Sequence, residues 1–364
     1  MSKKIAISGY YGFQNIGDEA ILYSMLQAFD AVGGIESVVF SDNPEHTYKQ
    51  YGVEAVDRWS FLTLIKTLRK CEQLVSGGGS LLQDVTGPKS LLYYLGVIFL
   101  ARLLGKKIML YAQGIGPINT SQGKSLMKWL VNKADLVTVR DEASKKLLEE
   151  LGINRPEIKE TVDAVLGIDK RKINSQLGEK VLAEMGVSID EAPLIGISLR
   201  EWQNPDNYKK VAAKTCDNLI EMGYRVMFIP FHFPCDIAPG RDTIKFMKHG
   251  EKAILMKNQV NVEEMLGILG SLQMMIGMRL HSLIMAAVMG VPIVGITYDP
   301  KVDSFMKQAC QPLAGRAETI TDDELWNTVK TALENREANL PEYLQIIDGK
   351  REQALETARW LKEL

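Results

Sequence analysis

Short apolar runs alternate with helix-length segments along the whole chain. In the first half, runs typical of buried strands cover 5–9, 37–41, 74–77, 107–113 and 136–140, and helical patterns cover 19–32, 89–104, 123–133 and 142–151. In the second half, the strand-like runs are 194–199, 225–231, 253–257, 272–276 and 292–297, and the helical patterns are 207–222, 262–269, 282–289 and 301–308. Strands separated by helix-sized segments pair in parallel through right-handed crossovers. The pattern therefore predicts parallel α/β sheets.

The length of 364 residues predicts more than one hydrophobic core. We expect two Rossmann-like domains facing each other across a cleft, one over 1–172 and the other over 190–340. The charged stretch 169–192 shows no clear strand or helix pattern and is predicted to be a poorly ordered joint. The segment 341–364 is amphipathic and has no strand after it, so we predict a terminal helix that packs back on the first domain.

Composition narrows the functional classes. The chain is 46% hydrophobic and 24% charged, as in ordinary globular enzymes, and its formal net charge of -2 argues against a nucleic-acid binder. The four cysteines are far apart and no C-x-x-C or H-E-x-x-H pattern occurs, which predicts neither a disulfide framework nor a metal site. Met1-Ser2-Lys3-Lys4 runs directly into the first strand pattern, without an apparent signal peptide. We expect a cytoplasmic enzyme.

The segment 90–104 is almost entirely apolar until Arg102. It is too short to span a bilayer, which favours a buried core helix. The alternative is a helix that rests on the membrane surface and reaches a lipid-linked substrate.

Positively charged and titratable side chains follow three strand-like runs of the second half. Arg200 comes after 194–199, His232 after 225–231, and Arg279 and His281 after 272–276. Parallel strands bring these positions to one edge of a sheet, and the next helix, predicted over 282–289, begins there. Arginine donates two parallel hydrogen bonds to carboxylate or phosphate, and histidine moves protons near neutral pH. We predict an anion site; a structural salt-bridged cluster is the alternative.

Glycine-rich loops follow the strands of the first half. The first strand leads into GYYGFQNIGDEA, whose glycines are too widely spaced for a dinucleotide fingerprint. Asp18 is predicted to cap the next helix, or to accept a proton from a substrate hydroxyl. Residues 77–80 (GGGS) and 113–117 (QGIGP) follow two further strands. Backbone donors and short polar side chains suit sugar hydroxyls, so we predict an acceptor site at Asn15, Asp18, Ser80 and Gln83.

These residues and motifs resemble the polysaccharide pyruvyl transferase family. The matching segments are GYYGFQNIGDEAIL, SGGGSLLQD, YAQGIGP, VRDEAS, GISLR and GMRLHSLIMAAVMGVP, in the family order from residue 5 to about 300. The resemblance implies a GT-B-like fold and phosphoenolpyruvate (PEP) as a co-substrate, with no other cofactor. It implies that Arg200, Arg279, Leu280 and His281 bind PEP. We expect His281 to be the catalytic acid; His232, at the same edge, is added as a PEP-binding residue and is the next candidate.

Within this family, the sequence resembles the CsaB type, which ketalises a cell-wall polymer sugar. It implies a 4,6-linked pyruvate ketal on N-acetylmannosamine in a lipid-linked amino-sugar saccharide. That product would belong to a secondary cell-wall polymer that anchors surface-layer proteins. A peripheral position at the inner face of the cell membrane would then be expected. Two other functions stay open: a GT-B glycosyltransferase that uses a nucleotide sugar, and a non-catalytic protein that binds sugars or anions.

Overall fold

The computed structural model describes residues 2–85, 87–203 and 205–364. They form two compact units: one consists of the residues up to Ile168 together with Lys350–Leu364, and the other of Asp169–Gly349. Residues 169–189, predicted to lie in the joint, belong to the second unit. Each unit is a parallel α/β structure, which confirms the predicted fold class.

The first unit is built on a seven-stranded sheet with the order β3-β2-β1-β4-β5-β6-β7, and every described pair is parallel. Its strands are β1 (Lys3–Tyr11), β2 (Ile35–Ser41), β3 (Glu54–Asp57), β4 (Gln73–Ser76), β5 (Lys107–Gln113), β6 (Leu136–Val139) and β7 (Glu157–Glu160). Its helices are α1 (Ile16–Val32), α2 (Pro44–Tyr51), α3 (Phe61–Lys70), α4 (Pro88–Leu103), α5 (Ser121–Val131) and α6 (Glu142–Glu150).

The second unit is built on a six-stranded parallel sheet with the order β10-β9-β8-β11-β12-β13. Its strands are β8 (Leu194–Ser198), β9 (Arg225–Phe228), β10 (Ile254–Leu255), β11 (Met274–Gly277), β12 (Ile293–Thr297) and β13 (Leu313–Arg316). Its helices are α7 (Ser175–Glu184), α8 (Pro205–Glu221), α9 (Ile237–Phe246), α10 (Val262–Gly270), α11 (Leu280–Val288), α12 (Pro300–Gln308) and α13 (Asp322–Glu334).

Both sheets follow the same doubly wound path. The chain moves from the first strand of each sheet toward one edge, and the fourth strand then returns to the other side of the first. In such sheets the ligand crevice opens at the carboxyl ends of the two strands where the direction reverses. These strands are β1 and β4 in the first unit and β8 and β11 in the second.

Opposite faces of the first sheet are covered by different helices. On one face, α3, α4 and α5 share a single apolar core with the sheet, which includes Leu68, Leu95 and Met127. On the other face, α1 packs against the 3₁₀ turn Ala164–Gly167. The burial of both faces explains why the strands are continuous apolar runs.

The last helix, α14, runs from Arg336 to Glu363, so it begins before the predicted position 341. Its final part, Lys350–Leu364, belongs to the first unit, where Ala358 and Leu361 are buried. The Thr357 hydroxyl lies 2.6 Å from that of Thr161, next to the end of β7.

Several sequence predictions were wrong in local detail. The stretch 169–192 is not a poorly ordered joint, because it contains α7, whose Gly178 packs against the backbone of Gly267 on α10 too closely for any side chain. Asp18 is not the cap of α1: the Asn15 side chain accepts a hydrogen bond from the Gly17 amide at 3.2 Å, and the helix begins at Ile16. Helix α11 begins at Leu280, two residues before the predicted start.

The apolar segment 90–104 forms most of α4. Leu91, Leu95 and Ile98 belong to the core, as the core-helix prediction requires, whereas Leu92, Phe99 and Leu103 are exposed. Within the described ranges, no helix has both the length and the apolar content needed to cross a bilayer.

Candidate functional site

Six polar side chains surround the carboxyl ends of β8, β9, β11 and β12 in the second unit. We refer to them as the edge cluster, which consists of Arg200, His232, Asp236, Arg279, His281 and Tyr298. Each follows its strand within a few residues, so the cluster surrounds the crevice between β8 and β11. The four residues predicted from the sequence therefore lie along three neighbouring strands, β9, β8 and β11.

Arg279 is held by a buried carboxylate. Its Nε donates to Oδ2 of Asp236 at 2.9 Å, and its Nη2 donates to Oδ1 of the same residue. The Asp236 side chain is only 1% exposed, and its Oδ2 also accepts hydrogen bonds from the backbone amides of Phe231 and His232. A bidentate pair of this kind fixes the guanidinium plane. Arg279 therefore has, in part, the structural salt-bridge role that was the alternative to an anion site.

Arg200 is placed differently. Its Nη1 donates to the Tyr298 hydroxyl at 2.8 Å, and its guanidinium carbon lies 4.6 Å from the centre of the Tyr298 ring and 5.5 Å from that of Trp202. Among the described residues, Arg200 forms no ion pair with a carboxylate. Its positive charge is therefore neutralised less than that of Arg279.

His232 lies between these charges. Burial lowers the pKa of its imidazole below the ordinary value, and Arg279 and, more weakly, Arg200 lower that pKa further, whereas Asp236 opposes them. The imidazole is therefore neutral at pH 7 in the free protein. An anion bound beside both arginines would raise this pKa again.

Arg279 to His281 form the beginning of α11. Arg279 occupies the N-cap position, Leu280 is the first helical residue and His281 is the second and is half-buried. The Ser282 hydroxyl donates to the Arg279 carbonyl at 2.7 Å and stabilises the turn. The Leu280 side chain is buried in the core, so only its backbone amide is suitably placed to contact a ligand. Helix N-termini favour anions, which agrees with the predicted anion site.

In the first unit, Asp18 lies beside Gly79, the residue that precedes Ser80. A Cβ on Gly79 would lie 3.2 Å from Oδ1 of Asp18, and Ser80 Oγ accepts a hydrogen bond from Nη2 of Arg140 at 3.1 Å. Arg140 is itself buried and pairs with Asp163 at 2.8 Å. These residues lie at the carboxyl ends of β1, β4 and β6, where the glycine-rich loops were predicted to form a ligand site.

The other two predicted acceptor residues have local hydrogen bonds. The Asn15 amide oxygen caps α1, and Oε1 of Gln83 accepts from the Val85 backbone amide at 2.7 Å. Neither contact brings these side chains to Ser80.

Sequence reasoning missed three residues at these two crevices. Asp236 and Tyr298 complete the edge cluster, and Tyr298 could have been found because it directly follows the strand-like run 292–297. Glu19 is buried under the first glycine loop, where its carboxylate accepts from the Gly12 amide at 2.9 Å and the Tyr51 hydroxyl at 2.7 Å. Burial raises the pKa of Glu19, although both hydrogen bonds act in the opposite direction.

Comparison with known proteins decides the family. The model of a family described as polysaccharide pyruvyl transferase matches residues 15–300. The chain belongs to the polysaccharide pyruvyl transferase family. The matched range contains the whole edge cluster together with Asp18 and Ser80. The sequence-based recognition of the family is therefore confirmed, and the chain is an enzyme that transfers pyruvate to a polysaccharide.

One curated relative has a similar sequence. The amylovoran biosynthesis protein AmsJ of Erwinia amylovora is 21% identical over 283 residues, which cover 74% of this chain and 67% of AmsJ.

Solved structures show the fold. The Anabaena protein Alr3699/HepE in complex with UDP-glucose has a TM-score of 0.67 at 12% identity, with 99% of this chain and 100% of that chain covered. A UDP-N-acetylglucosamine 2-epimerase from Listeria monocytogenes, described as putative, has a TM-score of 0.66 at 11% identity, with 99% and 94% covered. A glycosyltransferase from Rickettsia africae has a TM-score of 0.64 at 11% identity, with 100% and 97% covered. These similarities confirm the GT-B-like fold of the pyruvyl transferase.

Proposed function

We propose that PEP is the pyruvate donor and that it binds at the edge cluster. The observation that carries this proposal is the position of Arg200 and Arg279, which follow β8 and β11 on the two sides of the crevice in the second sheet. PEP carries a carboxylate and a phosphate, so it needs two separate anion contacts. Arg200, which has no carboxylate partner in the described part of the chain, and the N-terminus of α11 would provide them.

We assign the two anionic groups of PEP to different parts of the edge cluster. The phosphate binds at the start of α11, to the amides of Leu280 and His281 and to the guanidinium of Arg279, which Asp236 fixes. The carboxylate binds Arg200, and the Tyr298 hydroxyl, which accepts from Arg200, donates a further hydrogen bond to it. Asp236 does not contact the donor in this arrangement; it holds Arg279 in place.

The reaction follows from the chemistry of the donor. His281 donates a proton to C3 of PEP, which makes C2 electrophilic, and one sugar hydroxyl attacks C2. The C2–O bond to phosphate breaks, and a second hydroxyl of the same sugar attacks C2 to close the ketal. One hydroxyl proton replaces the proton given to C3 and the other leaves with the phosphate. Neutral His232 is suited to accept a proton from an attacking hydroxyl.

The acceptor is proposed to be a lipid-linked cell-wall saccharide. The resemblance to the CsaB type supports a 4,6-ketal on N-acetylmannosamine, in a polymer that anchors surface-layer proteins. Asp18 and Ser80 are the proposed acceptor contacts. Asp18 lies beside Gly79, which precedes Ser80 in the loop after β4, and Ser80 Oγ accepts from Arg140. The enzyme would work in the cytoplasm, at the inner face of the cell membrane.

Incubation with PEP and lipid-linked disaccharides tests the proposal. We expect release of inorganic phosphate and a product heavier by one pyruvate less one water, with both hydroxyl positions identified by NMR. Arg200→Ala is the matched control, since it should abolish turnover at low PEP. Release of UDP from a UDP-sugar, with no phosphate from PEP, would instead establish a glycosyltransferase. Tight binding of PEP and sugar without any turnover would indicate a binding protein.

A further inference from the structure

Three helices on one face of the first unit carry basic residues and no acidic residue. We call their outer surface the α3–α5 face. Its exposed basic residues are Lys66, Arg69, Lys70, Lys89, Arg102, Lys124 and Lys128. The absence of Asp and Glu from α3, α4 and α5 contrasts with the net charge of -2 of the whole chain. The charge on this face is therefore segregated from the acidic residues elsewhere.

The same face exposes large apolar side chains. These exposed apolar residues are Trp59, Phe61, Leu62, Leu92, Phe99, Leu103 and Trp129. The rings of Phe99 on α4 and Trp129 on α5 lie 5.6 Å apart, which connects two of the helices. Trp59, Phe61 and Leu92 line a shallow groove of about 280 Å³ between the start of α3 and α4. Single exposed apolar residues need no explanation, but a connected group on one face does.

Helix α4 has apolar residues both on the side that faces the core and on the side that faces solvent. Val97 is 4% exposed and packs in the core, whereas Leu92, on the outer side, is 52% exposed. The exposed residues Leu92, Phe99 and Leu103 lie seven and four positions apart, so they form one stripe along the helix. This stripe is the part of the apolar segment that core packing does not account for.

We propose that the α3–α5 face docks on the surface of a bilayer that contains anionic phospholipids. Lysine and arginine near an anionic surface attract its headgroups, and tryptophan and phenylalanine side chains insert at the level of the headgroups. A face-to-face dimer of this chain would place two basic surfaces against each other, which is unfavourable. Four acidic residues of the described chain contact the border of this face. Asp135 lies 3.9 Å from Arg102, Asp42 accepts from Trp59 Nε1, and Asp57 and Asp84 accept from the backbone amides of Trp59 and Thr120.

Vesicle flotation tests docking with the full-length protein. Vesicles of phosphatidylcholine alone are compared with vesicles in which about a third of the lipid is phosphatidylglycerol. Each basic residue near the surface contributes about five-fold to the partition coefficient at low salt, so the anionic vesicles should bind at least a hundred-fold more strongly. Raising the salt concentration should release the protein, because the attraction is screened within about 10 Å.

Two sets of variants separate the apolar and the charged contributions. Leu92→Gln/Phe99→Gln/Leu103→Gln changes only exposed positions, and Lys66→Glu/Arg69→Glu/Lys128→Glu reverses three charges. Each set should lower binding to anionic vesicles at least ten-fold without changing the far-UV circular dichroism spectrum. The matched control, Met222→Gln/Phe246→Gln, removes exposed apolar side chains of the second unit and should bind as well as the wild type.

The proposal is independent of the proposed donor, because turnover of PEP with a water-soluble acceptor fragment should be unchanged in both sets. It is overturned if the wild type does not float with anionic vesicles. It is also overturned if the control set loses as much binding as the two test sets. Sedimentation velocity supplies the third possible refutation. If the wild type is a dimer that does not bind lipid, and Leu92→Gln/Phe99→Gln/Leu103→Gln is a monomer, then a second copy of the chain covers the face.

Discussion

Replacing Arg279 by alanine should impair both folding and donor binding, and the structure separates the two effects. The substitution leaves the Asp236 carboxylate, 1% exposed, with two backbone amides and no cation. Breaking a buried ion pair by removing one partner costs about 3–5 kcal/mol. Because Arg279 is itself 20% exposed, we expect about 3 kcal/mol.

The loss of PEP binding in Arg279→Ala should be similar in free energy to the loss of stability. Loss of one hydrogen-bonded contact to a charged ligand costs about 1.5–3 kcal/mol, which corresponds to a Kd for PEP that is about 10- to 150-fold higher. Arg200→Ala should show that binding loss with a smaller loss of stability, about 1–2 kcal/mol, because it removes one hydrogen bond to Tyr298 and its aromatic contacts.

The double variant Asp236→Asn/Arg279→Ala distinguishes the two effects. Asparagine removes the unpaired buried charge, so most of the lost stability should return while PEP binding stays weak. Urea unfolding followed by circular dichroism measures the first quantity and isothermal titration calorimetry the second. Wild-type stability of Arg279→Ala would refute the buried ion pair. Unchanged PEP affinity in both Arg200→Ala and the double variant would refute the anion site.

Three further predictions concern proton chemistry. His281→Ala should lower kcat at saturating PEP by about a hundred- to ten-thousand-fold with little change in PEP affinity; near-normal turnover would transfer the role to His232. The His232 imidazole should titrate in NMR spectra below its ordinary pKa of 6.5 and move upward when PEP binds, and a midpoint above 6.5 in the free protein would contradict the charge arrangement around it. Because the pKa of His232 is lowered by folding, the contribution of His232 to the free energy of unfolding is complete above pH 6.5. This contribution is lost as the pH falls through the folded-state pKa. The raised pKa of Glu19 acts in the opposite direction. Its contribution to the free energy of unfolding is complete below pH 4.5 and is lost as the pH rises through the folded-state pKa. The urea midpoint of Glu19→Gln should therefore decline less between pH 4.5 and 7 than that of the wild type.

The strand ends that carry the donor site could be predicted from the sequence. Arg200, His232 and Arg279 each follow a continuous apolar run, and parallel strands bring such positions to one edge whatever the loops do. Asp236 could not be found in this way, because it lies in a loop whose path the local pattern does not determine. Its pairing with Arg279 depends on how the loop after β9 folds back toward β11.

The three strands that the sequence pattern missed have a common cause. The strands β3, β7 and β13 are the short outer strands of their sheets, with sequences such as EAVD and EIKE. Outer strands are kept short and charged because their free edges invite pairing with other chains, so they lack the apolar run that identifies inner strands. The orientation of α4 could not be predicted for the opposite reason: an all-apolar sequence does not show that Val97 faces the core and Leu92 faces solvent.

The inclusion of Lys350–Leu364 in the first unit has a consequence for synthesis on the ribosome. The strands of this unit are translated first, but the helix that buries Thr161 is translated only after the entire second unit. At about 5–20 residues per second, translation of the intervening 169–349 takes on the order of 10–40 s. During this interval the surface that later receives Ala358 and Leu361 is open to solvent. The nascent first unit therefore exposes apolar surface until the helix Arg336–Glu363 has been synthesised.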